Sequence, residues 1–467
     1  MQEYPTGPGR MHEYSSATEA MLDRITNYTK ARMRMSPPPL DGPKTYEYLQ
    51  ENASGTINAE GLGDEEALRV FEDVIAPATI SQDHPNFLSF IPAAATEAAS
   101  AFDIVVSVSN ICATSWLESA GVVYAENEVL HWLAAEFGLP EGAGGVFVQG
   151  GTLGNLSALS TAREHAKRTK QLPKDGRWKI ICGSEGHSSL VNAAMVMDVD
   201  IVKIDTDDSG RLTGESVRKE LQNSKDGIFA IVATAGTTNF GLVDNLDEIA
   251  DVAGEFGIWF HVDGAYGLAA AIGRKRRADF KGIERVDSLI IDPHKWMFAP
   301  FDACALLYRD PEIARRIHAQ KAGYLDIMNE GTVEWNPSDY AINLTRRARG
   351  LPLWFSLATY GTEAYRNAID HGITLAEDIA EYIRQKDGVQ LVREPQLSVV
   401  VFERPDWELE DYEAWADKLM DDGFAFVMPT KFKGRAVTRF AIINPTTKID
   451  DLRAIVDSML EFPKVKA

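Results

Sequence analysis

The sequence is poor in cysteine and in uninterrupted apolar runs. Only Cys112, Cys182 and Cys304 occur among 467 residues, which is too few for a disulfide framework and too widely spaced for a thiolate metal site. No run of about 18 apolar residues is present to span a membrane. The first residues, MQEYPTGPGRMHEY, lack the basic and apolar regions of a signal peptide. These absences predict a cytoplasmic protein.

Positive charge is also scarce. Lys and Arg number 47 against 69 Asp and Glu, so the formal net charge is −22 at pH 7. A field of this sign repels phosphate backbones and anionic membrane surfaces, so neither nucleic acid nor a membrane is an expected partner. Apolar residues, in contrast, make up 45% of the chain. That share is enough for the cores of roughly two or three domains.

The hydrophobic pattern divides the chain into three regions. Residues 1–95 predict a helical segment that packs on a larger body or on a second subunit, broken by three prolines at 37–39 and containing a helix over residues 64–75. Residues 96–354 alternate short β-branched runs with helical patterns, which predicts a large α/β domain around a mostly parallel sheet. Residues 355–467 predict a smaller α+β domain. The strand candidates of the large domain are residues 146–148, 179–182, 201–204, 228–233, 258–262, 288–291 and 305–308.

Polar side chains follow three of these strand candidates, where ligands gather in open α/β sheets. The segment QGGTLGN at 149–155 favours an anion such as phosphate, with Thr152 as the expected N-cap, although a plain strand-to-helix turn is an equal alternative. The segment HVDGAY at 261–266 puts His261 and Asp263 on one strand face. They could be metal ligands, a structural pair or the orienting groups of a cofactor. The segment DPHKW at 292–296 ends a buried strand with Lys295, whose pKa is expected to fall, which favours amine chemistry.

The three segments together fit pyridoxal phosphate. That cofactor needs an anion-binding turn for its phosphate, a carboxylate that keeps its pyridine nitrogen protonated, and a lysine that binds its aldehyde as an imine. The glycine turn, Asp263 and Lys295 follow one another in that order. An aspartate about 4 Å from a pyridinium attracts it by about 4 kcal/mol at an effective dielectric near 20, which helps the ring to act as an electron sink.

The segments at 261–266 and 292–296 resemble the signature segments of the group II pyridoxal-phosphate-dependent amino-acid decarboxylases, which include the glutamate and aromatic L-amino-acid enzymes. The resemblance implies the type I pyridoxal-enzyme fold, an obligate homodimer with active sites at the subunit interface, and decarboxylation of an L-amino acid. It covers nearly the whole chain, through HPNF at 84–87, Trp116, GGT at 150–152, HSS at 187–189, ATAGTT at 233–238, LTRR at 344–347 and RFA at 439–441.

The resemblance also implies which residues contact the cofactor. Lys295 would bind it covalently and Asp263 would pair with the ring nitrogen. Asp292 departs from the asparagine of the aromatic enzymes, and its carboxylate is expected to lie behind the residues that touch the phosphate. The other implied contacts are Gly151, Thr152 and His294 with the phosphate, Ala265 and His187 with the two ring faces, and Thr237 with the ring oxygen or the substrate carboxylate.

Two residues are candidates for protonating the carbanion that remains after carbon dioxide leaves. One is His187, and the other is a tyrosine from residues 326–340, whose composition suits a lid. A gap-free alignment puts Pro337 where the aromatic enzymes carry the lid tyrosine. Tyr340 lies three residues further on and is the favoured acid, with His187 as the alternative.

Four residues are implied to line the substrate pocket: Phe90 and Pro92, with Cys112 and Thr114 from the partner subunit. No arginine in this set would bind a distal carboxylate, so an aromatic substrate is predicted over glutamate or aspartate. One alternative is a related carbon–carbon lyase or decarboxylating aldehyde synthase with the same cofactor. The other is a non-catalytic homologue, although intact catalytic candidates argue against it.

Overall fold

A mostly parallel sheet of seven strands forms the centre of the fold. The computed structural model describes residues 10–92, 94–319 and 335–465. The sheet order is β1-β7-β6-β5-β4-β2-β3, and only β7 runs antiparallel to its neighbours. All seven strands expected from the sequence are confirmed: β1 (Gly144–Val148), β2 (Lys179–Gly183), β3 (Asp200–Ile204), β4 (Ile228–Thr234), β5 (Trp259–Asp263), β6 (Ser288–Ile291) and β7 (Cys304–Tyr308).

The central strands are apolar because helices cover both faces of the sheet. Every residue of β4, β5 and β6 is buried, as expected for a covered parallel sheet. None of the helices in the described residues is long and apolar enough to span a membrane. The helices up to residue 319 are α1 (Ser16–Met33), α2 (Tyr46–Ala53), α3 (Asp64–Val70), α4 (Glu97–Val108), α5 (Trp116–Glu136), α6 (Gly151–Thr169), α7 (Ser188–Met197), α8 (Gly214–Asn223), α9 (Leu246–Phe256) and α10 (Pro311–His318).

Shorter helical turns connect these elements. The helix predicted over residues 64–75 is helical throughout, but after α3 it widens into a π-helical turn, Phe71–Ile75. The 3₁₀ turns are Arg10–His12, Ala76–Ala78, Gly267–Ala271, Arg277–Phe280, Ile283–Arg285 and Pro337–Asp339.

The C-terminal part of the chain forms a second, antiparallel sheet of four strands in the order β10-β11-β9-β8. Its strands are β8 (Gln390–Leu391), β9 (Val399–Glu403), β10 (Pro429–Phe432) and β11 (Arg435–Ala441). The accompanying helices are α11 (Leu351–Tyr360), α12 (Thr362–Arg384), α13 (Leu409–Asp421) and α14 (Ile449–Glu461).

An early segment of the chain is attached to this second sheet. The backbone N–H of Leu88 donates to the carbonyl of Phe426 at 2.9 Å, and that of Ala441 donates to the carbonyl of Leu88 at 2.8 Å. The N-terminal residues therefore pack on the C-terminal region as well as on the large sheet. The division of the chain after residues 95 and 354 stays a prediction.

A buried ion pair ties the large sheet to two helices. The Arg346 guanidinium donates to Glu126 Oε2 at 2.7 Å and to the carbonyls of Ala113 and Phe147 at 2.6 and 3.1 Å. Glu126 Oε1 accepts from the backbone N–H of Gly350 at 2.8 Å, just before α11. The two side chains are only 1% and 3% exposed. Such a pair is costly to break, because the remaining charge stays buried without a partner.

Replacement of one partner should therefore destabilise the fold strongly. Glu126→Ala is expected to lower the free energy of unfolding by about 3–5 kcal/mol, measured by urea denaturation. The matched control is Glu66→Ala, which removes the exposed Arg69–Glu66 pair, 56% and 45% exposed, and should cost less than about 1 kcal/mol. Equal losses in the two variants would contradict a special role for the buried pair.

Candidate active site

A cavity of about 470 Å³ opens at the carboxyl ends of the parallel strands. The three segments singled out in the sequence, after β1, β5 and β6, all line it, and so do segments after β2 and β4. Ligands in open α/β sheets bind at this edge. Among the predicted cofactor contacts, the lining residues are Gly151, Thr152, His187, Asp263, Ala265, His294 and Lys295.

The glycine turn lets the start of α6 approach the end of β6. A Cβ built on Gly151 would lie 3.1 Å from Asp292 Oδ2 and 3.3 Å from Ile290 Cδ1, tighter than almost all real contacts. The helix begins at Gly151 with Gly150 as its N-cap, so the prediction that Thr152 is the N-cap is wrong. Thr152 lies in the first turn and is exposed. The positive end of the helix dipole faces the cavity and favours an anion there.

Lys295 and Asp292 form an ion pair in the cavity wall. Lys295 Nζ lies 3.1 Å from Asp292 Oδ2, and the two side chains are 23% and 2% exposed. Burial opposes charge on Lys295, but the carboxylates of Asp292 and Asp263 outweigh it and raise the pKa of the amine. The prediction of a lowered pKa is therefore wrong, because the sequence pattern did not show how close these carboxylates lie.

Asp292 itself lines the cavity instead of lying behind it. Its Oδ2 accepts from Lys295, whereas its buried Oδ1 has no hydrogen-bond partner among the described residues. An unpartnered carboxylate oxygen of this kind is costly in a protein interior. It therefore marks a place where the wall of the cavity is suited to a bound polar group.

Asp263 lies at the end of β5 with a hydrogen-bond donor on each oxygen. Asn155 Nδ2 donates to Asp263 Oδ2 at 2.9 Å, and the backbone N–H of Ala265 donates to Oδ1 at 3.2 Å. The two donors fix the orientation of the Asp263 carboxylate, which lines the cavity. A carboxylate held in this way can pair with a protonated pyridine nitrogen.

His261 lies behind Asp263 and does not reach the cavity. Its Nε2 lies 2.9 Å from Asn155 Oδ1 and its Nδ1 lies 2.8 Å from Ser288 Oγ. Burial lowers the pKa of His261 to about 4, so the ring is neutral near pH 7. The metal interpretation of His261 and Asp263 finds no support, since the part of the chain that the structure describes contains no cluster of His, Cys, Asp and Glu suited to a metal ion.

Two further histidines line the cavity. His187 is the N-cap of α7, and its Nδ1 lies 2.9 Å from Ser189 Oγ and accepts from the backbone N–H of Ser189 at 3.2 Å. His294 is buried, with its Nδ1 2.7 Å from the carbonyl of Ala303, and burial lowers its pKa. In both rings Nδ1 is engaged by the protein, and His294 Nε2 lies 3.8 Å from Asp292 Oδ2.

The predicted substrate residues and Thr237 do not line the cavity within one chain. Phe90 is 59% exposed on the C-terminal sheet side, and Pro92 is buried. Cys112 Sγ and Thr114 Oγ1 lie 3.1 Å apart, near the segment that precedes α11. Thr237 Oγ1 accepts from the backbone N–H of Leu242 at 3.1 Å, within its own loop.

Tyr340 also lies outside the cavity. Its ring stacks on Trp335 with 3.9 Å between centroids, and its side chain is buried against the outer part of the large sheet. Burial raises the pKa of its phenol. Residues 326–334 of the expected lid lie outside the described residues, so only its last part can be placed.

Sequence reasoning missed several residues of the cavity wall. Asn155 could have been found, because it lies four residues after Gly151 on the same face of α6. Glu185 lies two residues before His187, and Thr234 and Thr238 lie in the same segment as Thr237. The polar lining residues without a predicted role are Gln149, Asn155, Glu185, Ser189, Thr234, Thr238 and Tyr266.

The residues present fit pyridoxal phosphate. One cavity is lined by Gly151, which has no side chain to block a ligand, by the Asp263 carboxylate and by the Lys295 amine. These are the features that bind the phosphate, the ring nitrogen and the aldehyde of that cofactor.

Comparison with known proteins gives a consistent result. The family model described as the pyridoxal-dependent decarboxylase conserved domain matches residues 48–404. An aromatic-L-amino-acid decarboxylase of Bacillus atrophaeus is 31% identical over 422 residues, which cover 87% of each protein. An L-2,4-diaminobutyrate decarboxylase of Acinetobacter baumannii is 26% identical over 440 residues, 88% of this chain and 86% of that protein. The crystal structure of Oryza sativa TDC with PLP and tryptamine superposes with a TM-score of 0.85 at 25% identity, covering 98% of this chain and 99% of that chain.

The neutral state of buried His261 predicts a pH dependence of stability. The pKa of His261 falls from 6.5 to about 4 on folding, so below pH 6.5 the unfolded chain binds a proton that the folded chain does not. Protonation of His261 in the unfolded chain therefore costs no folding free energy above pH 6.5, and it lowers the free energy of unfolding progressively as the pH falls towards 4. Between pH 7 and pH 5 the loss should be about 2 kcal/mol.

Urea denaturation of the parent and of His261→Gln at both pH values measures this term. The glutamine cannot titrate, so the difference between pH 7 and pH 5 should be smaller in the variant by about 2 kcal/mol. The same pH dependence in both proteins would mean that His261 is not the group that titrates.

Proposed function

The chain belongs to the pyridoxal-dependent decarboxylase family, and from this premise we propose that it converts an aromatic L-amino acid into the amine and carbon dioxide. It is a pyridoxal-phosphate-dependent carboxy-lyase with the type I fold. The observation that carries the proposal is one cavity that holds the Lys295 amine, the Asp263 carboxylate and the start of α6 together.

Different residues of this cavity would bind different groups of the cofactor. Bound pyridoxal phosphate supplies an electron sink for the carbanion left by loss of carbon dioxide. Asp263 would keep the ring nitrogen protonated, and Lys295 Nζ would hold the aldehyde carbon and later release the product. The remaining contacts in the proposal are Gly151, Thr152 and His294 with the phosphate, and Ala265 and His187 with the ring faces; Thr237, which does not line the cavity, is given no contact.

Arg439 is our candidate for the carboxylate of the substrate. Its buried guanidinium donates to the carbonyl of Phe90 at 2.9 Å, while Nη1 has no partner in the described part of the chain. A guanidinium with a free donor suits a carboxylate. Phe90 and Pro92 would then lie beside the substrate, in agreement with the roles proposed for them.

The charges in the cavity wall support a substrate without an acidic side chain. Glu185, Asp263 and Asp292 line the cavity against Lys295, and no arginine is among the described lining residues. Arg439 lies outside this set and is proposed only for the α-carboxylate that every amino-acid substrate carries. A second carboxylate on the substrate would be repelled by this wall. An aromatic side chain avoids that repulsion, and the Bacillus atrophaeus relative is named for aromatic substrates. Glu185 favours a basic side chain as the second candidate.

The proposal includes a homodimer. Apolar side chains on α4, α5 and α7 are exposed in the single chain, among them Val108, Leu117, Tyr124 and Met195. Large exposed apolar areas of this kind mark interaction surfaces, and a second copy is the simplest partner. Cys112 and Thr114 lie between α4 and α5, from where they would reach the partner's cavity. The three unpaired cysteines suit the reducing cytoplasm, where we place the protein.

An amino-acid panel tests the substrate and the dimer together. The protein loaded with pyridoxal phosphate is separated by size-exclusion chromatography, and each fraction is assayed with the twenty amino acids for carbon dioxide, amine and aldehyde. We expect amine from tryptophan, tyrosine or phenylalanine, in the dimer fraction. Turnover of glutamate or aspartate alone, or a fully active monomer, would contradict the proposal. Aldehyde as the main product would identify an aldehyde synthase instead.

We assign protonation of the carbanion to His187, because it lines the cavity and Tyr340 does not. His187→Gln should therefore lower the rate of amine formation by about 100-fold or more, a typical loss for a general acid. Tyr340→Phe keeps the stack on Trp335 and should change the rate less than about threefold. Both are measured with the best substrate of the panel. Loss of amine in Tyr340→Phe with a near-normal His187→Gln would return the role to the tyrosine.

A further inference from the structure

Asn155 links the two sides of the cavity through its amide group. It lies on α6, one turn after Gly151, and is buried. Its Nδ2 donates to Asp263 Oδ2 and to Ser189 Oγ, both at 2.9 Å, and its Oδ1 lies 2.9 Å from His261 Nε2. No other described side chain bonds to both Asp263 and Ser189.

The partners of this amide fix its orientation. A carboxylate such as Asp263 only accepts hydrogen bonds, so it must face the NH₂ group of Asn155. The reversed amide would put Oδ1 against the carboxylate. Asn155 Oδ1 therefore faces His261, and His261 must donate to it from Nε2.

The hydrogen bonds behind Asn155, towards the protein interior, also have a fixed donor and a fixed acceptor. His261 is neutral, so with its hydrogen on Nε2 it accepts at Nδ1 from the hydroxyl of Ser288, 2.8 Å away. The oxygen of Ser288 accepts in turn from Trp259 Nε1 at 2.9 Å. Each hydrogen bond in this chain therefore points towards Asn155, and none of its members can reverse alone.

The orientation also extends forwards to His187. Ser189 Oγ accepts from Asn155, so the hydroxyl hydrogen of Ser189 is free to donate to His187 Nδ1 at 2.9 Å. The backbone N–H of Ser189 donates to the same nitrogen. His187 Nδ1 is therefore an acceptor, and the hydrogen of the neutral ring lies on Nε2.

We infer that Asn155 is a positioning residue that holds Asp263 charged towards the ring nitrogen of the cofactor and His187 in the tautomer with its hydrogen on Nε2. The buried chain of His261, Ser288 and Trp259 holds the amide in the required orientation. This inference rests on the proposed roles of Asp263 and His187, and it adds a residue that acts through both. The other charged or titratable groups of the same cavity are Glu185, Tyr266, Asp292, His294 and Lys295.

Asn155→Asp tests the inference with almost no change in shape. It removes both Nδ2 donors and places a second carboxyl about 3 Å from Asp263, so that the two must share a proton and less negative charge faces the ring nitrogen. Two measurements report this without turnover. One is the Kd of pyridoxal phosphate for the apoprotein, and the other is the pH at which the visible absorbance of the bound cofactor changes.

We expect Asn155→Asp to raise the Kd by about tenfold or more and to move the absorbance midpoint by about one pH unit or more. The matched control is Asn444→Asp, a buried amide outside the cavity whose Nδ2 donates to the carbonyl of Asp83. It should leave both quantities unchanged. Circular dichroism checks the fold, and if Asn155→Asp does not fold, Asn155→Ala removes the same donors without adding a charge.

Asp263→Asn distinguishes failure of the inference about Asn155 from failure of the proposed role of Asp263. If Asp263→Asn changes the Kd and the absorbance midpoint while folded Asn155→Asp and Asn155→Ala leave both as in the parent, the inference about Asn155 is overturned. If Asp263→Asn has no effect on either quantity, the proposed role of Asp263 fails instead. Equal shifts in Asn155→Asp and Asn444→Asp would also overturn the inference, since they would show a general effect of an added carboxylate.

Discussion

The pairing of the Lys295 ammonium with buried carboxylates is the interaction on which the site depends. A lone ammonium at the end of β6 would be costly, and Asp292 at 3.1 Å compensates for its burial. Asp292 is nearly inaccessible because the start of α6 packs against it. A side chain at position 151 would crowd Asp292 Oδ2, so this close approach requires glycine. The charge pair therefore fixes the distance between the helix and the strand, and with it the cavity.

The order of the strands brings the remaining groups to this pair. β5 and β6 are neighbours, and β4 lies on the other side of β5, so Asp263, Lys295 and Thr234 meet at one edge although they are far apart in sequence. Tyr266 links this edge to the second sheet, because its hydroxyl lies 2.6 Å from Ser398 Oγ. The active site is thus held from both sheets.

Much of this arrangement could be predicted from the sequence, because β-branched runs define the strands and polar residues at strand ends define the site. All seven large-domain strands and the three cofactor segments follow from those local patterns. The direction of the Lys295 pKa does not, because it depends on distances across the sheet. Asn155 escaped notice because its partners Asp263, Ser189 and His261 lie on three other elements. The N-cap of α6 was assigned to Thr152 instead of Gly150, because glycine also serves as an N-cap. The packing of Tyr340 against Trp335 could not be derived from an alignment.

Reduction of the protein loaded with pyridoxal phosphate measures most directly whether Lys295 is the residue that holds the cofactor. Borohydride makes the link between cofactor and lysine permanent, and proteolysis with mass spectrometry then locates the pyridoxyl group. The account predicts the label on Lys295, with none in Lys295→Ala. A label on any other lysine of the parent protein would contradict the account.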